Sequence, residues 1–328
     1  MTMNAQELKS KIRGPVHLSM TPFDENEELD EKALRQNVQH VCEGLAGEEA
    51  IFLVNGSTGE FYAMNDAECK RTTEAVIEEV AGRFPVIIGT ARAGTRYTIE
   101  MSQHAQQAGA DGVMVVSPYY HQPSGDELCR HFERIAESID IGVMVYNNPT
   151  TSKLWIPPNL MARLSKIGNI IANKENTTNA LAFYAMQKAL DPEDMIIVCG
   201  PGQMLFPFEV LFDCPAFVTE LTNFAPGIPV RFHKAAQKKD YDELTRLMDL
   251  AAPYHELIAK AARNKGGSPT IMSPYISSDD VYVYQSACKE AMNLIGLPGG
   301  KMRGPMSDLD VDEISELREV LKGWGVLE

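Results

Sequence analysis

Lys174 is the residue with the clearest chemical potential, because it closely follows a short apolar run at residues 170–172. If that run is a barrel strand, the amine lies at the mouth of the barrel with apolar walls around its stem. Burial disfavours the ammonium form and lowers the pKa of a lysine. An unprotonated amine in such a place can attack a carbonyl and form a Schiff base. The alternative is a lysine at the barrel rim, paired with Glu175 or another carboxylate.

Two other segments carry hydroxyl groups that imine chemistry could use. Tyr146 ends the preceding apolar run, and its phenol could move the protons that imine formation requires. An isolated tyrosine more often fills the core and forms local hydrogen bonds. The segment Gly56-Ser57-Thr58-Gly59-Glu60, the 56–60 loop, offers free amides and two hydroxyls to a carboxylate. As a bare pattern, this segment is only a turn.

These residues can meet only if the ends of the predicted strands converge. Runs without polar alternation are typical of strands buried on both faces of a parallel sheet. Eight such runs occur, at 15–20, 50–54, 85–88, 112–116, 141–145, 170–172, 195–198 and 216–218. Segments with helical character lie between them, for example at 66–81, 98–108, 124–137 and 157–166. Their uninterrupted alternation predicts an α/β fold, a (β/α)8 TIM barrel with reacting groups at the carboxyl ends of its strands.

The strand-like runs stop after about residue 228, and the rest of the chain has a helical pattern. Apolar residues between Leu244 and Ala261 recur at helical spacing, with Pro253 as an expected kink. Asp279 or Asp280 would cap a further helix that runs to about Ile295. We therefore predict a barrel over 1–228, with its eighth helix continuing to about 237. A C-terminal helical extension over 238–328 is expected to pack on the barrel.

Charge and motif content argue against several classes of function. The formal net charge of -15 and the pI near 5.0 disfavour nucleic acids and anionic membranes as partners. Residues 1–13 are polar and no apolar run approaches a membrane span, so we expect a cytoplasmic protein. The six cysteines are scattered and are predicted to be free thiols. No metal-ligand motif or nucleotide-binding glycine pattern occurs, so neither metal nor cofactor is expected.

Four motifs, taken in their order and spacing, resemble the dihydrodipicolinate synthase and N-acetylneuraminate lyase family of class I aldolases. They are the 56–60 loop, Ser117-Pro118-Tyr119-Tyr120, Tyr146-Asn147-x-Pro149 and Lys174-Glu175. The match runs from about Gly14 through Pro226. The resemblance implies a homo-oligomeric barrel, typically a dimer of dimers, in which Lys174 forms an imine with pyruvate or a longer 2-oxo acid.

The resemblance also implies roles for individual residues. Tyr146 would be the proton shuttle, and Ser57 would link it to a relay. Ser57 and Thr58, in the loop that also contains Gly59, would hold the substrate carboxylate. Tyr120 matches the position that reaches into a neighbouring subunit's site in the synthases, and Val218 matches a backbone position near the imine.

The sequence departs from the family pattern where a second substrate would bind. Thr151 occupies the position at which the synthases usually place an arginine for the second substrate's carboxylate. A hydroxyl cannot replace a bidentate arginine contact at equal strength, which argues against dihydrodipicolinate synthesis. Lys153 is nearby but out of register. Ala172-Asn173 before the lysine and Gly200-Pro201-Gly202 after the seventh run are also unusual, so a distinctive distal pocket is expected.

The leading hypothesis is a Schiff-base lyase or aldolase that acts on a small 2-oxo acid and an aldehyde. Dehydration of a hydroxylated 2-oxo acid, or a hydratase-aldolase reaction, would pass through the same imine, and the sequence does not separate these reactions. A barrel that binds a 2-oxo acid without turning it over is a different class of protein, and the presence of both Lys174 and Tyr146 argues against it. A metal-dependent aldolase is a further possibility, and the lack of a histidine set argues against it.

Overall fold

The computed structural model describes residues 3–265 and 284–328. Parallel strands in chain order close into an eight-stranded barrel, in which each strand pairs with the next and the last pairs with the first. The strands are β1 Gly14–Leu18, β2 Ile51–Val54, β3 Val86–Gly89, β4 Gly112–Val116, β5 Gly142–Asn147, β6 Ile170–Glu175, β7 Ile196–Cys199 and β8 Ala216–Thr219. The predicted TIM barrel is thus confirmed, with a strand in each of the eight apolar runs.

A short helix precedes the first strand, and the later helices follow strands and cover the outside of the barrel. In the barrel part they are α1 Ala5–Lys11, α2 Glu31–Gly44, α3 Asp66–Val80, α4 Thr95–Ala108, α5 Gly125–Ala136, α6 Pro149–Ser152, α7 Pro158–Leu164, α8 Ala180–Ala189, α9 Phe206–Glu209 and α10 Gly227–Gln237. Short 3₁₀ turns occupy Phe61–Ala63, Val210–Phe212 and Leu221–Asn223. Helix α4 begins three residues before the predicted start, because the apolar pattern that suggested it begins one turn inside the helix.

Strands β5 and β6 continue past their apolar runs, to Asn147 and Glu175. The pairing register of these two strands shifts once: Val143 lies opposite Ile170, but the next residue, Met144, lies opposite Ala172. Strand β6 therefore carries one extra residue, a β-bulge, at this point. Beyond the bulge, Tyr146 lies opposite Lys174 and Asn147 lies opposite Glu175. Lys174 is therefore part of the strand and not of the loop that the sequence suggested.

The described residues after the barrel form the helices α11 Tyr241–Asn264, α12 Tyr284–Leu294 and α13 Val311–Gly323. Helix α11 continues through Pro253 without ending and packs against α10 and α13, while α12 also packs against α13. The predicted cap at Asp279 or Asp280 lies outside the described residues. The eighth barrel helix ends at Gln237, and a boundary between barrel and extension at this point remains our proposal.

All six cysteines are free and buried. Among the residues that the structure describes, no helix combines the length and apolar character that a bilayer span requires.

Candidate active site

The side chain of Lys174 is buried near the carboxyl end of β6, and only 4% of the residue's surface is exposed. Its neighbours in register are Tyr146 on β5 and Val198 on β7, and its Nζ lies 3.9 Å from the centre of the Tyr146 ring. Burial lowers the pKa of Lys174 to about 7, although the nearby Cys199 acts in the opposite direction. A substantial fraction of this amine is therefore unprotonated at neutral pH.

Glu175 does not pair with Lys174, because successive strand residues point to opposite faces of a sheet. Its carboxylate accepts hydrogen bonds from the amides of Asn147, at 2.8 Å, and Asn173, at 3.1 Å. Burial raises the pKa of Glu175 to about 7 in spite of these bonds. No acid in the described ranges forms an ion pair with Lys174, so the alternative of a paired rim lysine is not what the geometry shows.

The phenol of Tyr146 is a buried hydrogen-bonding centre. Its oxygen accepts a bond of 2.8 Å from the Asn148 amide, and it is also hydrogen-bonded to Ser57. Burial raises the pKa of Tyr146 to about 12, and these two bonds only partly oppose the effect. Because Ser57 follows β2, which is not a neighbour of β5, this contact crosses the barrel mouth. Tyr146 and Lys174 thus face the barrel interior.

The 56–60 loop is held rigidly between β2 and the end of β1. Asn55 starts it in the left-handed region, with φ of 54°, and its amide donates to the Cys69 carbonyl at 2.9 Å and to the Thr73 hydroxyl at 3.0 Å. Gly59 is required by a close approach, because a Cβ there would lie 2.9 Å from the carbonyl oxygen of Ser19. The loop is therefore a fixed cradle and more than a simple turn.

The two hydroxyls of this cradle have different partners. Ser57 bonds Tyr146, whereas the Thr58 hydroxyl lies 3.1 Å from the hydroxyl of Tyr284 at the start of α12. Thr58 is buried, and Ser57 is partly exposed to the barrel mouth. The structure thus brings four predicted residues into one group: Lys174, Tyr146, Ser57 and Thr58.

The remaining predicted residues lie around this group. Val218 is buried in β8, and its carbonyl approaches the turn at Gly202. Thr151 is half-buried on the short helix α6, and no hydrogen bond between described residues joins it to the group. Tyr120 is 78% exposed, with its ring edge-on to His121 at 5.1 Å, so it lies outside this chain's own site.

No metal-binding cluster of three or more histidine, cysteine, aspartate or glutamate side chains is present within 3–265 and 284–328. The group contains a nucleophilic amine, a phenol and hydroxyl donors. Such an arrangement can form an imine and move the protons that this reaction requires.

A model of the dihydrodipicolinate synthetase family matches residues 11–266 of the sequence. The chain belongs to this family. Among relatives in the family, the 4-hydroxy-tetrahydrodipicolinate synthase of Bradyrhizobium diazoefficiens is 34% identical over 248 residues, which cover 75% of this chain and 81% of the relative. The enzyme of the same name from Methanosphaerula palustris is 31% identical over 316 residues, covering 95% and 99%.

Solved structures of dihydrodipicolinate synthetase family members have the same architecture. YagE from E. coli K12, a prophage protein of the family crystallised in complex with pyruvate, superposes with a TM-score of 0.82 at 27% identity, covering 96% of this chain and 99% of YagE. The synthase of Aquifex aeolicus has a TM-score of 0.82 at 25% identity and covers 96% and 99%. The family assignment made from the four motifs is therefore confirmed.

Two residues of the site received no role from the sequence. Asn148 is the unspecified position in the Tyr146-Asn147-x-Pro149 motif, yet its amide holds the phenol. Its place after a predicted strand end was a usable signal. Tyr284 lies 226 positions from Thr58 in the chain, and no local pattern connects the two.

Proposed function

We propose that the protein is a Schiff-base-forming lyase or aldolase that acts on pyruvate or a longer 2-oxo acid through an imine at Lys174. One observation carries the proposal: a buried amine that pairs with no acid among the described residues, and whose pKa is lowered to about 7, lies against the ring of a hydrogen-bonded phenol. Membership of the family and the pyruvate complex of YagE support the choice of a 2-oxo acid as substrate.

In the proposed reaction, the free amine of Lys174 attacks the ketone carbon and forms a carbinolamine. The Tyr146 phenol donates a proton to the departing hydroxyl, which leaves as water and yields the protonated imine. The pKa of Tyr146, raised to about 12, keeps the phenol protonated at neutral pH until that step. Ser57 and Asn148 hold its oxygen in place and can stabilise the charge that develops when it gives up the proton.

The substrate carboxylate is expected to bind the hydroxyls of Ser57 and Thr58 and the amides of the 56–60 loop. Gly59 allows the loop to pack against β1 at this point, and Val218 would line the opposite side near the imine. Hydroxyl and amide donors would hold the anion without a formal positive charge that would compete with the protonated imine.

The imine withdraws electrons from the adjacent carbon, so a carbon–carbon bond to an aldehyde can be formed or cleaved there. Dehydration of a hydroxylated 2-oxo acid and hydratase-aldolase chemistry use the same intermediate and stay open as candidate reactions. Thr151 supplies no guanidinium for a second carboxylate, which favours an aldehyde that carries no carboxylate at that position over the substrate of the synthases.

The proposal extends to a homo-oligomer in which Tyr120 reaches the site of a neighbouring copy. The 78% exposure of its aromatic ring supports a contact outside its own chain. Light scattering after size-exclusion chromatography would measure the oligomeric state, and a strictly monomeric protein with full activity would contradict this extension.

The decisive test is incubation with pyruvate and borohydride, followed by mass spectrometry of the peptide that carries Lys174. We expect a reduced pyruvate adduct at Lys174 and none in the Lys174→Ala variant. Lys188→Ala is a matched control, because Lys188 also lies near a tyrosine ring, at 5.6 Å, but is exposed on α8. No adduct with pyruvate or any larger 2-oxo acid would favour a non-catalytic binding protein, and activity abolished by a chelator would favour a metal-dependent aldolase.

A further inference from the structure

The C-terminal extension contributes a hydroxyl to the site. Tyr284 stands at the first turn of α12, and its phenol oxygen lies 3.1 Å from the Thr58 hydroxyl. The surroundings of Tyr284 also include Tyr146 and Glu220. Helix α12 is further connected to the barrel mouth through the Cys288 thiol, which contacts the carbonyl of Glu220 at 3.7 Å, directly after β8. The first turn of α12 therefore covers the carboxyl ends of the strands.

A buried ion pair fixes the same helix to the far end of the 56–60 loop. The ammonium group of Lys289 on α12 pairs with the carboxylate of Glu60, and these side chains are 1% and 0% exposed. Lys289 also donates to the Lys301 carbonyl at 2.6 Å. The other carboxylate oxygen of Glu60 accepts a bond from the Arg303 backbone N–H at 3.2 Å.

Arg303 extends this attachment to the segment that follows the loop. Its guanidinium donates to the Ala63 carbonyl at 2.9 Å and pairs with Glu68 at 2.6 Å. It also lies over the ring of Phe23, 4.1 Å from the ring centre. The loop is consequently held between Asn55 on one side and, on the other, the ion pair with Lys289 and the backbone hydrogen bond from Arg303. Neither α12 nor the loop can shift without breaking buried charge contacts.

The chemistry of the two hydroxyls suggests what this rigid contact does. A hydroxyl has one proton to donate and two lone pairs that can accept. A phenol is much more acidic than an alcohol, so Tyr284 is the better donor and Thr58 the better acceptor. When Tyr284 donates, the proton of Thr58 is free to point into the barrel toward a carboxylate. Without Tyr284, the Thr58 hydroxyl can rotate and turn its proton elsewhere.

We infer that Tyr284 is a positioning residue that acts through Thr58, orienting its hydroxyl to donate to the carboxylate of the bound 2-oxo acid. This inference rests on the proposed function. The buried pair of Lys289 and Glu60 keeps the two hydroxyls together. The C-terminal extension thereby becomes part of the binding site for the carboxylate, the group that all 2-oxo acids share.

The test measures borohydride trapping of pyruvate at Lys174 over a range of pyruvate concentrations. In Tyr284→Phe, which removes only the hydroxyl, we expect the half-saturating concentration to rise about tenfold, the effect of one hydrogen bond to a charged group. The maximal trapped fraction should stay unchanged, and the thermal midpoint should fall only slightly, because one buried hydrogen bond is lost. Tyr254→Phe is the matched control, because Tyr254 is a buried tyrosine on α11 whose hydroxyl has no hydrogen-bond partner among the described residues. It should leave the half-saturating concentration unchanged.

A double-variant comparison separates positioning from a direct contact with substrate. If Tyr284 acts through Thr58, Tyr284→Phe should have almost no further effect in a Thr58→Val background. An equal rise in both backgrounds would overturn the inference, as would an unchanged half-saturating concentration in Tyr284→Phe alone. A lower maximal fraction at constant half-saturation would show general damage to the fold and would also count against it. Failure of the unaltered protein to form any adduct is a different result, which would refute the proposed function and this inference with it.

Discussion

Replacement of Lys289 by methionine tests the energetic role of the buried ion pair. Lys289→Met removes the ammonium and leaves the carboxylate of Glu60, which is 0% exposed, with one hydrogen bond among the described residues, from the Arg303 backbone at 3.2 Å. Burial already raises the pKa of Glu60 above its ordinary 4.5, and the attraction of Lys289 opposes that rise. Without Lys289, the carboxyl must either remain charged in the core or take up a proton.

Protonation limits the cost of this variant. Keeping Glu60 protonated in the folded state costs about 1.4 kcal/mol for each pH unit above 4.5, its pKa in the unfolded chain. At pH 7 the variant can therefore lose at most about 3 kcal/mol of its free energy of unfolding through this group. This value agrees with the roughly 3 to 5 kcal/mol that breaking one partner of a buried pair usually costs. At pH 5 the loss should shrink to about 1 kcal/mol, because a proton then neutralises Glu60 at little cost.

The free energy of unfolding of each variant, measured by urea denaturation at pH 7 and pH 5, checks this reasoning. Lys260→Met is the matched control, because the pair between Lys260 and Glu316 joins α11 to α13 with side chains that are 52% and 45% exposed. It should lose less than about 1 kcal/mol at both pH values. Adding Glu60→Gln to Lys289→Met should recover most of the stability. A loss in Lys289→Met no larger than in Lys260→Met, or a loss that does not depend on pH, would refute the argument.

Three further outcomes follow from the site. For Tyr146→Phe, kcat should fall by about 10² to 10⁴ while KM changes little, because the lost phenol moves protons and does not hold substrate. In steady-state kinetics, a change in KM alone would contradict this role. The initial rate of pyruvate trapping should rise with pH and level off above about pH 7, because the pKa of Lys174 is lowered to about 7. A pH profile whose midpoint lies near the ordinary lysine pKa of 10.5 would contradict the burial argument. The pKa of Glu175 is raised from 4.5 to about 7, so the folded state holds an extra proton between these pH values. The free energy of unfolding should therefore fall as pH rises through this window, by about 1 kcal/mol per pH unit from this group. In urea denaturation Glu175→Gln should show a smaller dependence on pH, and an unchanged dependence would argue against a protonated Glu175.

The barrel was predictable because its signal is local. Each apolar run is long enough for one strand, and helices fill the intervals, so the alternation alone indicated the fold. Lys174 and Tyr146 were predictable for the same reason, since strand ends locate reacting groups in a barrel. Even there the ladder continued beyond the apolar residues, because polar side chains such as Asn147 and Glu175 can be buried when they hydrogen-bond to each other.

The rest of the site depends on contacts that no local pattern records. The hydroxyl pair of Thr58 and Tyr284, like the ion pair of Glu60 and Lys289, joins positions more than 200 residues apart. A lysine in a helical segment is usually a solvated surface residue, so the sequence offered no reason to place Lys289 in the core. These contacts are set by how the extension packs on the barrel.

The extra residue in β6 determines which functional groups the substrate would meet. Val143 faces Ile170 and Met144 faces Ala172, so Ile171 is the residue that the ladder skips. An even ladder would place Asn173 beside the phenol of Tyr146 and turn Lys174 outward to the helical layer, with no change in any motif. Substitutions in the surrounding loops can therefore diversify the chemistry of such a barrel, whereas a change that brought Ile171 into the ladder would exchange its nucleophile for an amide.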